Sequence, residues 1–404
     1  MANTDSTLPH AARAAAGKTH TGRLAAASSI GTALEWYDFT VYNIMAALVF
    51  NHVFFPSFDP LVGTILAFST YAVGYVSRPV GGFIFAISGM SPGARRLDHH
   101  AGDHGRDHGA DGHAARLCAV GHLESDSAGG AALCAGHRAG RRMGRRGVAL
   151  HGARRSHGEQ FQEWGWRIPF LLSLLLVMFG LWLRRGVEET PTFVAMQQAE
   201  KTSHTPLKEV FLRYPRELLI AGGSRIGSDV LYALVVVFTL TYVTTVLQLP
   251  RPLALMATMV GAIGNALTVP LFGALSDRLG RRPVYIAGAL LAIVWSFVFF
   301  VLLDSTQPWL IVLAVVIGLL IHAMMYGPQA AFVTEQFPSH VRYAGSSLAY
   351  TLAGIIGGGF APLIITSLYK ELGSTLWVSL YVTLALTITL FALWKAKETA
   401  HQSL

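Results

Sequence analysis

Six ionisable side chains lie in stretches apolar enough to sit in hydrocarbon: Glu35, Asp38, Arg78, Arg225, Asp229 and His322. Inserting such a group into a membrane costs about 2.5–3.5 kcal/mol, so it is kept for a partner, a ligand or a proton. Glu35 and Asp38 stand three residues apart in Leu34-Glu35-Trp36-Tyr37-Asp38-Phe39, on one face of a helix. Two carboxylates so close in low dielectric resist joint ionisation, so one proton can be shared between them. The alternative is an ion pair with an arginine of a neighbouring helix, and exchange between the two arrangements would itself couple a proton to a cargo. Arg78, in Ser77-Arg78-Pro79, has three fates open: reaching the aqueous edge, pairing with Asp38, or gripping a carboxylate through two N–H groups. Arg225 and Asp229 are four apart and can pair along one helix face; a structural self-pairing is the first reading of them. His322 lies mid-run, just before Gly327-Pro328. A lone histidine is ordinarily a hydrogen-bonded core residue, but the adjacent helix breakers raise the case for a proton or substrate role. Tyr42 joins these candidates because Gly31, Asp38 and Tyr42 echo Gly222, Asp229 and Tyr232.

The elements that must hold these groups are long apolar helices. Hydrophobic residues make up 52% of the chain and charged ones 13%, with a mean hydropathy of +0.45. A soluble domain carries about 25% charged residues, so the composition is that of an integral membrane protein in contact with the lipid bilayer. A span needs about 20 apolar residues. Nine runs qualify, at 24–50, 61–87, 166–183, 218–247, 253–275, 284–303, 309–333, 346–368 and 377–394. Turns with helix breakers separate several of them, such as Phe55-Pro56-Ser57 and Leu249-Pro250-Arg251-Pro252. Arg13, Lys18 and Arg23, the basic stretch 184–216, Arg342, Lys395 and Lys397 all fall on one side of these runs. That side is the cytoplasm, because loops rich in Lys and Arg are retained there. Both termini are therefore expected inside. The net charge of +8 serves orientation and needs no nucleic acid. The two cysteines, Cys118 and Cys134, exclude a disulfide framework and a multi-Cys zinc site.

Between the fifth and sixth runs, Gly273, Asp277, Arg278, Gly280, Arg281 and Arg282 follow the order G-x-x-x-D-R-x-G-R-R. A short, doubly basic turn there would lie inside, with Asp277 serving a helix N-terminus or the arginines. The stretch 91–158 is different in kind. It contains no Lys, Ile, Phe, Tyr, Trp, Asn, Gln or Thr, yet holds nine of the sixteen histidines. Its eleven arginines against six acids supply five of the eight net positives. It must cross the membrane an odd number of times to keep the flanking runs in register, and it has no run apolar enough to do so. Such an abrupt loss of residue types, between two ordinary membrane flanks, is what a GC-rich coding segment read in a shifted frame would give. The rival reading takes Asp98-His99-His100, Asp103-His104, Asp107-His108 and Asp111-x-His113 as a histidine-rich metal tract, but its spacing is loose and no cysteine stands near.

The loop resembles the signature of the major facilitator superfamily of secondary transporters. Further segments resemble its metabolite:proton symporter branch, whose carriers include those of 2-oxoglutarate, citrate, shikimate, proline and betaine. They are Ala33-Leu34-Glu35-Trp36-Tyr37-Asp38-Phe39-x-Val41-Tyr42, Arg78-Pro79-Val80-Gly81-Gly82-Phe83, Trp166-Arg167-Ile168-Pro169-Phe170, Arg185-x-x-x-Glu189-Thr190-Pro191-x-Phe193 and Glu335-x-Phe337-Pro338-x-x-x-Arg342-x-x-Gly345. The resemblance implies an all-α membrane protein of two six-helix halves, of which nine spans are readable and three are missing or scrambled. It also implies a first copy of the signature loop after the second span, which this chain lacks.

The expected layout is a cytoplasmic tail at 1–20, an N-terminal half at 21–190 containing the anomalous stretch 88–160, a cytoplasmic loop at 191–217, a C-terminal half at 218–396 and a tail at 397–404. The expected function is proton-coupled symport of a small organic acid or zwitterionic osmolyte by alternating access, not enzymatic catalysis. No cofactor or metal is called for, and a monomer in a bacterial-type inner membrane is the expected working form. Glu35, Asp38, Tyr42, Arg78, Arg225, Asp229 and His322 are the candidates for proton coupling or substrate contact. Gly273, Asp277, Arg278, Gly280, Arg281, Arg282, Glu335 and Arg342 form the candidate cytoplasmic gate. The rival functions are a transporter remnant lacking three helices and a membrane metalloprotein using the His/Asp tract. Sequencing the coding DNA across codons 85–165 should reveal compensating frame changes; an intact frame through the stretch would remove the shifted-frame account.

Overall fold

In a computed structural model of the chain, the residues described are 37, 39–87, 164–184 and 206–398. Every regular element among them is helical. In chain order these are α1 (Phe39–Phe54), α2 (Pro60–Ile87), α3 (Ile168–Arg184), α4 (Pro206–Arg213), α5 (Pro215–Val246), α6 (Arg251–Leu279), α7 (Arg281–Asp304), α8 (Pro308–Glu335), α9 (Arg342–Leu372) and α10 (Thr375–Lys395). Each of the nine apolar runs is thus mainly helical over its described residues. Among the described residues, seven helices are long and apolar enough to cross a membrane, while the first and third runs give the shorter apolar segments Phe39–Phe54 and Gly165–Leu175. The anomalous stretch, with Cys118, Cys134 and the His/Asp tract, lies outside the described residues.

Contacts divide the chain into two units, one of Met1–Tyr42 with Gly147–Glu200, the other of Asn43–Arg146 with Lys201–Leu404. In the first, the Tyr37 hydroxyl donates to the Pro169 carbonyl at 3.1 Å. Trp166 is buried there, with the Arg167 guanidinium 4.4 Å from its ring centre. Its helix α3 turns Leu171, Leu172, Leu174, Leu175, Met178 and Phe179 outward, as a segment meeting lipid does.

In the second unit α5 is the enclosed helix. An 18-residue window of it is 89% buried, against 17% for α6, so α5 is central and α6 peripheral. Helices α8, α9 and α10 pack on α5, while α6 lies along α8 and α2 reaches α9. The outer face of α6 carries Met259, Ile263, Leu267 and Leu271, all exposed. Chain reversals use short, specific devices. Gly373 ends α9 in the left-handed region (φ 62), and Ser374 opens α10 by accepting the Leu376 N–H at 3.3 Å. Such paired caps satisfy backbone groups that hydrocarbon leaves without water.

Two expectations need correction. The short turn expected in the signature segment is narrower than the gap between the apolar runs: helix α6 runs to Leu279, α7 starts at Arg281, and Gly280 alone makes the break. Its φ of 103° is open to glycine and strained for other residues, so one residue suffices. Nor does Gly327-Pro328 interrupt its span, since α8 is continuous through Pro328. Proline forfeits one backbone bond but keeps a helical φ, and Gly327 serves a different end. A Cβ there would stand 2.8 Å from the Gly273 nitrogen and 2.9 Å from the Val269 carbonyl oxygen, whereas one on Gly273 would find only the Gly327 carbonyl oxygen at 3.6 Å. The backbones of α6 and α8 therefore touch through Gly327. Gly327→Ala should destabilise the detergent-purified protein by about 1–3 kcal/mol, as overpacking does, while Gly273→Ala stays near wild type in the same thermal melt. Equal effects would mean that the helices can part at no cost.

Candidate functional site

The α6–α7 junction gathers the first set of predicted residues. Arg281 bonds the Ser276 hydroxyl at 3.0 Å, pairs with Asp277 one turn back, and reaches Glu335 of α8 at 3.4 Å. Asp277 thus serves an arginine. The N-terminus of α7 is served instead by Glu398, which lies beyond α10. Its two carboxylate oxygens accept the backbone N–H groups of Arg281 and Arg282 at 3.0 and 2.9 Å. These are orphan donors at the positive end of a helix dipole. Arg282 returns the arrangement, donating to the carbonyls of Leu393 and Trp394 at 2.9 and 3.3 Å, where α10 runs out of partners. The start of α7 and the end of α10 therefore cap each other. Arg278 is exposed, and Arg342 bonds the Phe337 carbonyl at 3.2 Å. Glu398, in the segment expected to be a tail, was not singled out from sequence, because its partners stand more than a hundred residues away.

The second set forms a polar stripe inside the unit. Arg225, Asp229 and Tyr232 follow one another at i, i+4 and i+7 on α5; His322, Tyr326 and Gln329 do the same on α8. That spacing places each trio on one helix face. Arg225 Nε donates to Asp229 at 2.9 Å and Nη1 to the Tyr350 carbonyl at 3.2 Å. The tyrosine ring lies 4.4 Å under the guanidinium. The pair is almost withdrawn from solvent, with side chains 13% and 5% exposed. Helix α9 comes this close because Gly357, in a wide π-helical stretch Gly354–Gly359, leaves no side chain where a Cβ would stand 2.9 Å from that of Asp229. Rings of Tyr232 and Tyr326 each lie 5.4 Å from His322, which joins the two faces. Deeper along α8, Gln329 Oε1 accepts from the buried Tyr285 hydroxyl at 3.2 Å. Asn265 of α6 bonds the Leu319 carbonyl at 2.7 Å and sits 3.1 Å from His322 Nδ1.

The structure thus brings Arg225, Asp229 and His322 into one region through Tyr232. Tyr42 is buried. Arg78 lies within α2, with its side chain outside the described residues, as are Glu35 and Asp38. Asn265, Tyr285, Gln329 and Tyr350 were not singled out from sequence. Uncharged polar groups within apolar runs, which bind helices together in membranes, were the available signal. Among the described residues no cluster of His, Cys, Asp and Glu could hold a metal.

Comparison with known proteins decides the family. The family model of the Major Facilitator Superfamily matches residues 161–362 and 230–403. The chain belongs to the Major Facilitator Superfamily. It is 33% identical to the shikimate transporter of Escherichia coli (strain K12), across 86% of this chain and 87% of that protein. It is 30% identical to the citrate-proton symporter of Klebsiella pneumoniae, across 91% and 90% of the two chains. The crystal structure of a D-xylose-proton symporter superposes with a TM-score of 0.53 at 17% identity, covering 95% of this chain and 99% of that one. The facilitator fold and the symporter-type resemblance of the sequence are therefore established, and the chain is a membrane transporter by family rather than an enzyme. The alignment with the citrate-proton symporter runs over 410 positions, more than the 404 residues of this chain. That relative therefore carries residues with no counterpart here.

A buried pair broken on one side strands a charge at a cost of about 3–5 kcal/mol, whereas replacing both partners with apolar groups can be neutral. Arg225→Leu and Asp229→Leu should each lower the thermal midpoint markedly, and the double variant should regain most of the loss. A double variant as unstable as the two losses combined would show that the charges do not compensate each other.

Proposed function

We propose that the chain carries a small carboxylate or zwitterion across a bacterial-type inner membrane together with a proton, both termini facing the cytoplasm. The observation that carries this reading is the buried Arg225–Asp229 pair, held by Tyr350 yet still 13% exposed on its cationic side. A cargo carboxylate competing for Arg225 would displace Asp229, and the released carboxylate, in low dielectric, would take a proton. One cargo charge and one proton then enter as a neutral unit. In this reading Glu35, Asp38, Tyr42 and Arg78 are the proton-coupling and substrate candidates of the first half (21–190). The half at 218–396 rocks against the first, with Asp277, Arg278, Arg281, Arg282, Glu335 and Arg342 as the inner gate. The working unit is a monomer.

The kinship with the shikimate transporter and the citrate-proton symporter supports a carboxylate cargo. The test is uptake into proteoliposomes from a panel of shikimate, citrate, 2-oxoglutarate, proline and betaine under an imposed proton gradient. Accumulation should collapse with an uncoupler, and Asp38→Asn or Asp229→Asn should abolish gradient-driven uptake while leaving counterflow. Accumulation indifferent to the uncoupler and to both substitutions would count against symport.

A second reading, a remnant without transport, is favoured by the residues that the citrate-proton symporter carries beyond this chain. No uptake by the chain as it stands, with uptake gained when the corresponding segment of a relative replaces 88–160, would support it.

A further inference from the structure

His322 is held on three sides by groups that leave its fourth edge with a defined task. The Tyr326 ring stacks on it at 5.4 Å and 20°. The Tyr232 ring meets it at 5.4 Å and 51°. Together they fix the imidazole plane. On the third side Asn265 Nδ2 lies 3.1 Å from Nδ1 and 2.7 Å from the Leu319 carbonyl oxygen.

The carbonyl decides which way the amide points. Turning the amide over would set two acceptor oxygens 2.7 Å apart, so the NH2 group faces Leu319 and therefore also Nδ1. A donor facing Nδ1 requires that nitrogen to accept, which puts the single ring proton on Nε2. Protonating Nδ1 would oppose two donors, so this surrounding disfavours the imidazolium. Nε2–H is then a buried donor, and among the described residues it has no hydrogen-bond partner. Buried donors left unmade are uncommon and costly, and one aimed from a rigid mount calls for an acceptor that arrives.

We propose that His322 stays neutral and presents Nε2–H to an acceptor oxygen of the cargo, a carboxylate or hydroxyl oxygen, instead of carrying the coupled proton. This rests on the symport reading and narrows it: Asp229 exchanges the charge and His322 reads the cargo. Asn265 is a positioning residue that sets the tautomer, and Tyr232 and Tyr326 are the walls. The sequence had left His322 open between proton and cargo.

The chemistry separates the two. Glutamine places an amide N–H near the position of Nε2 but cannot titrate; leucine supplies neither. In proteoliposomes of the full chain, with the best-transported member of the same panel, His322→Gln should keep KM within about threefold and remain uncoupler-sensitive. His322→Leu should raise KM at least about tenfold, the scale on which a site built for a hydrogen bond discriminates. Gradient-driven uptake lost in His322→Gln with counterflow intact would assign the proton to His322 and overturn the proposal, as would a wild-type KM in His322→Leu.

A second measurement is independent of transport. With histidines labelled with 15N in the full chain, the signal absent from His322→Gln should be the neutral Nε2–H tautomer between pH 5.5 and 8. An imidazolium or Nδ1–H form would overturn the assignment even if no panel member is carried, a result that by itself would refute only the symport reading.

Discussion

Hydrocarbon offers no water to a polar group, so each one on the enclosed helices must be answered by the protein or by what the protein carries. Most of the second unit follows from this constraint. Arg225 can enter because Asp229 stands one turn away and Tyr350 supplies a carbonyl and a ring face. Ser379 and Thr389 of α10 turn their hydroxyls to backbone carbonyls at Ser296 and Gly223. Among the described residues the accounting stays open at ten buried atoms, and two of them, His322 Nε2 and Gln329 Nε2, lie on the same stripe as the ion pair.

The same rule operates at the helix ends, and there it ties helices together. Glu398 answers the start of α7, Arg282 answers the end of α10, and Arg281 links both to Glu335 at the foot of α8. Three helices thus share one charged junction built around the single residue Gly280. At the far end of α7, Asp304 accepts the Tyr242 hydroxyl at 2.6 Å, fastening α7 to α5. Between these fixed ends, the close α6–α8 contact at Gly327 and the π-helical widening of α5 and α9 shape the enclosed middle. Wide turns of this kind free backbone groups and recur where helices serve function.

Sequence carried the architecture well, because the need for about twenty apolar residues per crossing leaves a coarse signal. The long apolar runs, with few charges in them, became the helices over their described residues, and the four-residue spacings of Arg225 with Asp229 and Asp277 with Arg281 translated directly into pairs. What sequence did not carry depends on distance in the fold. Glu398 caps a helix 116 and 117 residues before it, and nothing in a charged tail announces that. Asn265 looks like any polar residue in a span until Leu319 and His322 stand beside it. Gly280 was visible as part of the signature motif, but only its positive φ shows that one residue makes the whole turn. Proline at 328 misled in the other direction, since a helix between packed neighbours tolerates one lost bond.

The central claim is that the stripe of Arg225, Asp229, Tyr232, His322 and Tyr326 faces an aqueous path while the outer face of α6 meets lipid. Single cysteines at Tyr326 and Leu267, in a chain lacking Cys118 and Cys134, test it in the membrane with a charged maleimide and a lipid-soluble one. The account predicts that Tyr326→Cys reacts with the charged reagent at a rate altered by cargo, and that Leu267→Cys reacts only with the lipid-soluble one. Reaction of Leu267→Cys with the charged reagent, or a Tyr326→Cys inert to it in every condition, would contradict the account.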